Sequence, residues 1–239
     1  MENIYRKHYQ HKFSIIVPVL NEQYRINSFL DKINKQRYDS NFEIIIVDGD
    51  LHGGTINAVS DNSIICITSP KGRGRQMNAG AAKAHGEILV FLHADTTLPD
   101  NALGKISLAL QDTVYVGGAF NLKIDSDRLF LKYISVRTSL RSRWSRIPYG
   151  DQAIFIRKKY FEQIGGFKEI PLMEDVELMR RIKKDGKKII ILPDKVTTSA
   201  RRWENDGALY TTMRNRILVG LFYLGVNPHK LAKYYWRKS

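Results

Sequence analysis

The chain has 239 residues, 43% hydrophobic and 26% charged, which is ordinary for a globular protein and enough for one large α/β domain with a real core. A net charge of +14 and a pI near 9.8 create a positive field that attracts nucleotides, phosphorylated substrates, nucleic acid or anionic membrane. The sequence contains no internal repeat, no low-complexity tract and no apolar stretch of the ~20 residues that a membrane-spanning helix needs.

Phe13 to Val19 reads as a first strand, followed by a helix with Ile26, Phe29, Leu30 and Ile33 at helical spacing. Glu43 to Val47 is a second strand. Asp50 to Asn62, Gly-rich at its start, predicts a loop with a short helix. Ile64 to Thr68 is a third strand. It contains the single Cys66, which cannot form an internal disulfide; its apolar setting predicts a buried thiol and a reducing compartment. The basic glycine loop Pro70-Lys-Gly-Arg-Gly-Arg75 leads into a small-residue helix, Gln76 to His85, stopped by Gly86. Ile88 to Leu92 is a fourth strand, and Leu103, Ile106 and Leu110 mark another helix. This βαβ alternation predicts a mostly parallel sheet.

The second half is less regular. Tyr115 to Ile124 and Gln152 to Ile156 read as strands, with a basic segment of no clear pattern, Leu129 to Arg146, between them. Glu174 to Lys184 is a helix with Val176, Met179 and Ile182 on one face, ended by Gly186. Lys188 to Leu192 is a strand. We expect one domain over 1–239, with a nucleotide-binding half at 13–112, an acceptor-binding half at 113–206 and a helical segment at 207–239.

The chemistry lies where the strands stop. Ile88-Leu-Val-Phe-Leu-His93-Ala94-Asp95 is an apolar run ending at His-Ala-Asp; the first strand ends at Pro18-Val-Leu-Asn-Glu22 and the second at Asp48-Gly-Asp50. Runs of this kind are strands buried on both faces. Ligands of open α/β sheets bind at the carboxyl edge, where a carboxylate can hold a metal or hydrogen-bond a nucleotide.

Taken together, Val17-Pro-Val-Leu-Asn-Glu22, Ile46-Val-Asp-Gly49, Gly72-Arg-Gly-Arg-Gln-Met-Asn78, Phe91-Leu-His-Ala-Asp95, Gly150-Asp151-Gln and Glu174-Asp175 resemble the family 2 glycosyltransferases over about residues 13 to 203. The resemblance implies the GT-A fold, a Rossmann-like, mostly parallel sheet flanked by helices. It also implies inverting transfer from a nucleoside diphosphate sugar, UDP-linked in our reading. Asp95 matches the last Asp of the family's Asp-X-Asp motif and is assigned to Mn²⁺ or Mg²⁺, which would neutralise the departing diphosphate. His93 stands where the family usually has Asp. It could bond ribose or phosphate, ligate Mn²⁺, or be structural. Ala94 lies between the two.

Asp48 matches the residue that contacts base or ribose, Glu22 matches a nucleotide-pocket residue, and Pro18 shapes the strand exit. Arg73 and Arg75 form a natural anion site before a helix, and with Asn78 they match the family's Arg-Asn neighbourhood loosely. Glu174-Asp175 matches the acidic pair beside the acceptor, with Asp175 as general base and Glu174 as the alternate. Asp151 is expected to contact acceptor or donor sugar, and Arg201, Arg202 and Trp203 to clamp the diphosphate or stack on a sugar.

Two other classes compete: a nucleotidyltransferase that makes sugar nucleotides, and a non-enzymatic basic module on membrane or RNA. The first would carry its phosphate loop after the first strand, where Pro18 to Glu22 stand. The second leaves the ordered acids unexplained, and no nucleic-acid partner is expected. Residues 1–12 are polar and lack a signal-peptide core, so the expected location is cytoplasmic. The apolar residues Ile217, Leu218, Leu221, Phe222 and Leu224 are flanked by Arg214, Arg216, Lys230, Lys233, Arg237 and Lys238. With Tyr234, Tyr235 and Trp236 they would suit peripheral docking on the inner membrane face, near a lipid-linked acceptor. Packing on the catalytic domain or on a second copy is the alternative.

Overall fold

The computed structural model describes residues 11–36 and 42–235. The proposed membrane contacts Trp236, Arg237 and Lys238 lie outside the described residues.

Four strands of the first half, β1 (Phe13–Val19), β2 (Phe42–Asp48), β3 (Ile65–Thr68) and β4 (Ile88–Phe91), pair in parallel, with β1 between β2 and β4. Their crossovers are α1 (Ile26–Asn34), a 3₁₀ turn at Ile56–Ala58, and α2 (Arg73–Lys83). After the short β5 (Thr96–Thr97) and α3 (Ala102–Ala109), the chain returns through the long β6 (Tyr115–Asp125) and α4 (Leu129–Ser145). Then come β7 (Ile154–Arg157), α5 (Lys158–Gln163), α6 (Glu174–Lys184), β8 (Lys188–Ser199), α7 (Arg201–Asp206), α8 (Ala208–Tyr223) and α9 (Pro228–Tyr235).

One eight-stranded sheet results, in the order β3-β2-β1-β4-β7-β6-β8-β5. β7 is antiparallel to both β4 and β6, and β5 is antiparallel to β8. Because Phe91 pairs with Ile154, the start of β7 and the turn before it lie at the carboxyl edge of β4. That reversal brings Gly150-Asp151-Gln152 to the edge where β1, β2 and β4 already end.

Alternation along β1 explains the layers. Phe13, Ile15, Val17 and Val19 face α1, α3 and α4, whereas Ile16 faces α2 and the group formed by α5, α6, α8 and α9. Gly80 lets α2 lie against the sheet, since a Cβ there would stand 2.5 Å from Ile16 Cγ2. The amino end of α2 is thereby held at the sheet edge.

Several sequence expectations shift. Cys66 is exposed, because β3 is an edge strand with one open face. α2 begins at Arg73 rather than Gln76, so the glycine loop contributes its own arginines to the helix amino end. Gly86 is not a helix-ending left-handed glycine; α2 already stops at Lys83, and Gly86 is needed because a Cβ would sit 2.5 Å from the Phe13 carbonyl carbon. The unassigned segment from Leu129 is a helix, and β8 continues past Pro193 to Ser199. The apolar residues of the C-terminal part do not form one outward face. Leu218 and Phe222 are buried in the core, as are Leu231 and Tyr235 of α9, while Ile217 and Leu224 are exposed. No helix among the described residues is long and apolar enough to cross a membrane.

Candidate active site

Two adjoining cavities occupy the carboxyl edge. The larger, about 540 Å³, runs between the exit of β1 (Pro18, Glu22), the amino end of α2 (Arg73, Arg75, Gln76), and Arg201 and Arg202 of α7. The smaller holds Asp151, Glu174, Asp175, Tyr149 and Trp203. Arg73, His93, Asp95 and Arg202 line both and form the throat between them. One end of the combined cleft is therefore rich in guanidinium and helix amides, the other in carboxyl groups. An anion belongs at the first, and proton removal is possible at the second.

Each wall has a local cause. Gln76 is buried and donates from Nε2 to the carbonyls of Val19 and Val47, both at 2.8 Å, which ties α2 to the ends of β1 and β2. Gln152 is fully buried. Its Nε2 donates to the Phe120 carbonyl at 2.8 Å, and its Oε1 accepts from Ser142 Oγ at 2.7 Å and from Tyr149 N at 3.1 Å. These bonds clamp the 150–152 turn between α4 and β6. Three non-glycine residues beside the site adopt left-handed backbone: Asn21 (φ 57°), Ala153 (φ 49°) and Met173 (φ 70°). They precede Glu22, follow the clamped turn and precede Glu174. Such strain persists only where the surroundings over-determine the backbone.

The acids act on one another through their charge. Gly150 N donates to Asp175 Oδ2 at 2.6 Å, and a Cβ on Gly150 would lie 3.1 Å from the His93 ring. Burial, and next the charge of Asp175, push Glu174 up to about 7. Burial, again followed by Asp175, pushes Asp151 up to about 6. Asp151 Oδ1 is buried without a hydrogen-bond partner. His93 moves the other way, to about 3, through burial and then the positive charges of Arg73 and Arg202, and so is a neutral imidazole near neutral pH. Burial, opposed by Arg25 and reinforced by Asp95, raises Glu22. Arg201 Nη2 approaches Glu22 Oε1 at 3.5 Å across the cleft mouth, and Arg202 donates to the Tyr235 hydroxyl.

Most of the sequence-predicted residues converge here: Pro18, Glu22, Arg73, Arg75, His93, Ala94, Asp95, Asp151, Glu174, Asp175, Arg201, Arg202 and Trp203 all line the two cavities. Arg75 also pairs with Glu169 at 2.9 Å. Asp48 and Asn78 line neither. Asp48 is fully buried and accepts amides from Asp50, Thr55 and Ile56, so it folds the loop after β2. Asn78 exchanges two bonds with the backbone of Phe167 and anchors α2 to the 166–167 turn. Sequence reasoning missed Tyr149, Asn215 and Tyr235 on the acidic side and Lys71 and His229 on the basic side. Tyr149 adjoins the Gly150-Asp151 motif and could have been found; Asn215 and His229 carry no local signal.

Among the described residues, no cluster of three or more His, Cys, Asp or Glu is arranged to hold a metal. That does not conflict with a divalent ion shared with a diphosphate, since Mg²⁺-like ions commonly take one or two protein carboxylates, waters and phosphate oxygens. Asp95 fits that role: its side chain lies in the throat, and its Oδ1 has only a long bond, 3.3 Å, from Thr96 Oγ1.

A parallel half sheet, an antiparallel return strand and an acidic helix start on one edge are arranged as in the GT-A fold. Residues 14–169 match the model of glycosyl transferase family 2, and the chain belongs to that family. It is 27% identical over 218 residues to the probable glycosyltransferase YdaM of Bacillus subtilis (strain 168), covering 82% of this chain and 51% of that protein. Among solved structures, it resembles the mannosyltransferase PcManGT from Pyrobaculum calidifontis in complex with GDP-Man and Mn²⁺. That likeness has a TM-score of 0.61 and 24% identity, over 79% of this chain and 57% of the other. S. aureus TarS 1-349 gives a TM-score of 0.62 at 21% identity, over 87% and 64%. These two likenesses concern the fold. The chain thus spans about half to two thirds of the length of these three proteins.

Proposed function

We propose that the protein is a metal-assisted, inverting glycosyltransferase that uses a nucleoside diphosphate sugar, with a UDP-sugar as the first donor to test. The observation that carries this reading is the throat at Asp95. Guanidiniums and the α2 amino end lie on one side of it, and Glu174, Asp175 and Asp151 on the other. The diphosphate would lie along Arg73 and Arg75 toward Arg202, with Asp95 holding Mn²⁺ or Mg²⁺. When bound, that ion supplies neutralisation of the diphosphate charge. PcManGT with GDP-Man and Mn²⁺, and TarS 1-349 with UDP or UDP-GlcNAc, offer precedents for such ligands on this fold.

In the transfer, the acceptor oxygen forms a bond to the anomeric carbon. The anomeric C–O bond breaks, and its electron pair leaves with the nucleoside diphosphate. The acceptor proton passes to a carboxylate, assigned to Asp175 with Glu174 as alternate. Asp175 is oriented by the Gly150 amide, and its negative charge helps keep Glu174 protonated. Arg73 and Arg202 face the departing charge.

Peripheral membrane contact is part of this reading. Leu129, Tyr133, Val136, Leu140 and Trp144 on α4 and Leu209, Met213 and Ile217 on α8 are exposed among arginines, a composition suited to an anionic lipid surface. We place the protein in the cytoplasm, at the inner face of the membrane when bound.

Incubation with UDP-sugars and Mn²⁺ should release UDP, and Asp95→Asn should abolish Mn²⁺-dependent UDP binding by calorimetry while leaving the fold intact. Unchanged affinity in that variant removes Asp95 from the metal. Pyrophosphate release from UTP and a sugar phosphate, without UDP release from UDP-sugars, would overturn the transferase reading.

A further inference from the structure

Behind the acidic cavity a separate chamber of about 200 Å³ opens between α4, α7 and α8. Tyr149, Asp151, Trp203 and Asn215 line both spaces and so form a common wall. Arg137, Arg141 and Arg216 also line it. Among the described residues, no carboxylate lies within ion-pair distance of these three arginines. Arg141 is held in place: Nη1 donates to the Ile147 carbonyl at 2.9 Å, and its guanidinium sits 3.6 Å from the centre of the Tyr149 ring. On the shared wall, Asp151 Oδ1 and Asn215 Oδ1 are buried oxygens without hydrogen-bond partners.

The two sets of groups ask for different things. A buried acceptor oxygen left unpaired is costly, so the shared wall calls for a hydroxyl that donates. Three guanidiniums with no carboxylate in ion-pair contact call for an anion with several oxygens, which a phosphate supplies better than a carboxylate, although the charge of Arg141 also reaches Asp151. The shared wall adjoins Gly150, whose amide holds the Asp175 carboxylate, so a hydroxyl bound there is next to the group assigned to take its proton. At about 200 Å³ the chamber has room for several waters and so for a small acceptor head.

We infer that this chamber is the acceptor subsite, and that its ligand is a small alcohol carrying a phosphate group, with the phosphate on Arg137, Arg141 and Arg216 and the hydroxyl at Asp151 and Asn215. The inference rests on the glycosyltransferase reading for what happens to the hydroxyl. The binding itself does not depend on it. The same chemistry is presented by a free phosphorylated polyol and by a phospholipid head group.

Calorimetry with sn-glycerol 3-phosphate tests it, first with UDP and Mn²⁺ present to fill the donor cleft and then without them. Binding is expected, with glycerol at least tenfold weaker. Arg137→Gln and Arg216→Gln, both at exposed positions, should each weaken it by about tenfold, the scale of one lost charge-assisted bond. Arg75→Gln, on the donor side, should leave it unchanged. Sedimentation with phosphatidylglycerol vesicles identifies the source. Retention that depends on the same two arginines assigns the phosphate to lipid, and soluble binding alone assigns it to a free metabolite. No binding of glycerol 3-phosphate in either setting, or binding lost in Arg75→Gln and kept in Arg137→Gln and Arg216→Gln, overturns the subsite. Absence of UDP binding with normal glycerol 3-phosphate binding would instead count against the donor reading alone.

Discussion

Replacing Glu174 by Gln should stabilise the protein at alkaline pH and leave it almost unchanged in acid. Glu174 is 5% exposed at the start of α6, and its carboxyl moves from 4.5 to about 7, first through burial and then through the charge of Asp175. The folded state therefore holds a proton that the unfolded chain releases between those two values. The unfolded state binds fewer protons in that window, so stability falls as pH rises through it. Below about pH 4 both states are protonated and there is no cost. Above pH 7 the ionised group costs about 3 kcal/mol, at ~1.4 kcal/mol per pH unit. Gln keeps the shape of the protonated acid and cannot ionise. Urea unfolding at pH 4, 6 and 8 should show the variant's advantage growing from near zero to about 3 kcal/mol, with equal slopes. An advantage that is flat with pH, or that shrinks from pH 4 to 8, would refute a buried carboxyl held protonated by its surroundings.

Asp175→Asn should lower turnover by about 10²-fold or more while donor binding survives; near-normal turnover there, with Glu174→Gln inactive, transfers the base to Glu174. Gly118→Ala should destabilise the fold by about 3 kcal/mol, because its Cβ would stand 2.2 Å from the Ile190 carbonyl oxygen inside the sheet; a melting temperature equal to that of the parent contradicts this packing. The protein should float with anionic liposomes at low salt. The double variant Met213→Glu, Ile217→Glu, which alters exposed positions and spares buried Leu218 and Phe222, should not; equal flotation of the two removes α8 from the membrane contact.

The parallel half was legible because its strands are buried on both faces and say so in unbroken apolar runs such as Ile44 to Val47. α4 was not, for a physical reason. Its inward face carries Ser135, Ser139 and Ser142, which bond the backbone of Ile124, Leu122 and Thr138, while Tyr133, Val136 and Leu140 point outward. Apolar periodicity cannot reveal a helix whose buried side carries three serines beside Leu131 and Ile134 while other apolar residues face out. Cys66 was misplaced because an apolar run does not announce that its strand lies at a sheet edge. The throat at Asp95 was readable, since strand ends and their acids are local signals. The third chamber was not, because Arg137, Asp151, Trp203 and Asn215 meet only through the reversal at β7. Asp48 and Asn78 show the opposite limit: a motif position names a residue type, and the fold spends both side chains on backbone amides and carbonyls.

The antiparallel seam between β4 and β7 has an evolutionary consequence. The groups proposed for the donor hang on β1, α2, the end of β4 and α7, whereas the arginines of the third chamber hang on α4 and α8, and the seam and the clamped turn before β7 lie between β4 and α4. On the proposed assignment, substitutions on α4 and α8 would change which molecule is admitted while leaving the residues of the larger cavity in place. If the proposed assignment holds, a lineage would diversify its acceptors one surface residue at a time, each step starting from a protein whose donor cleft is intact.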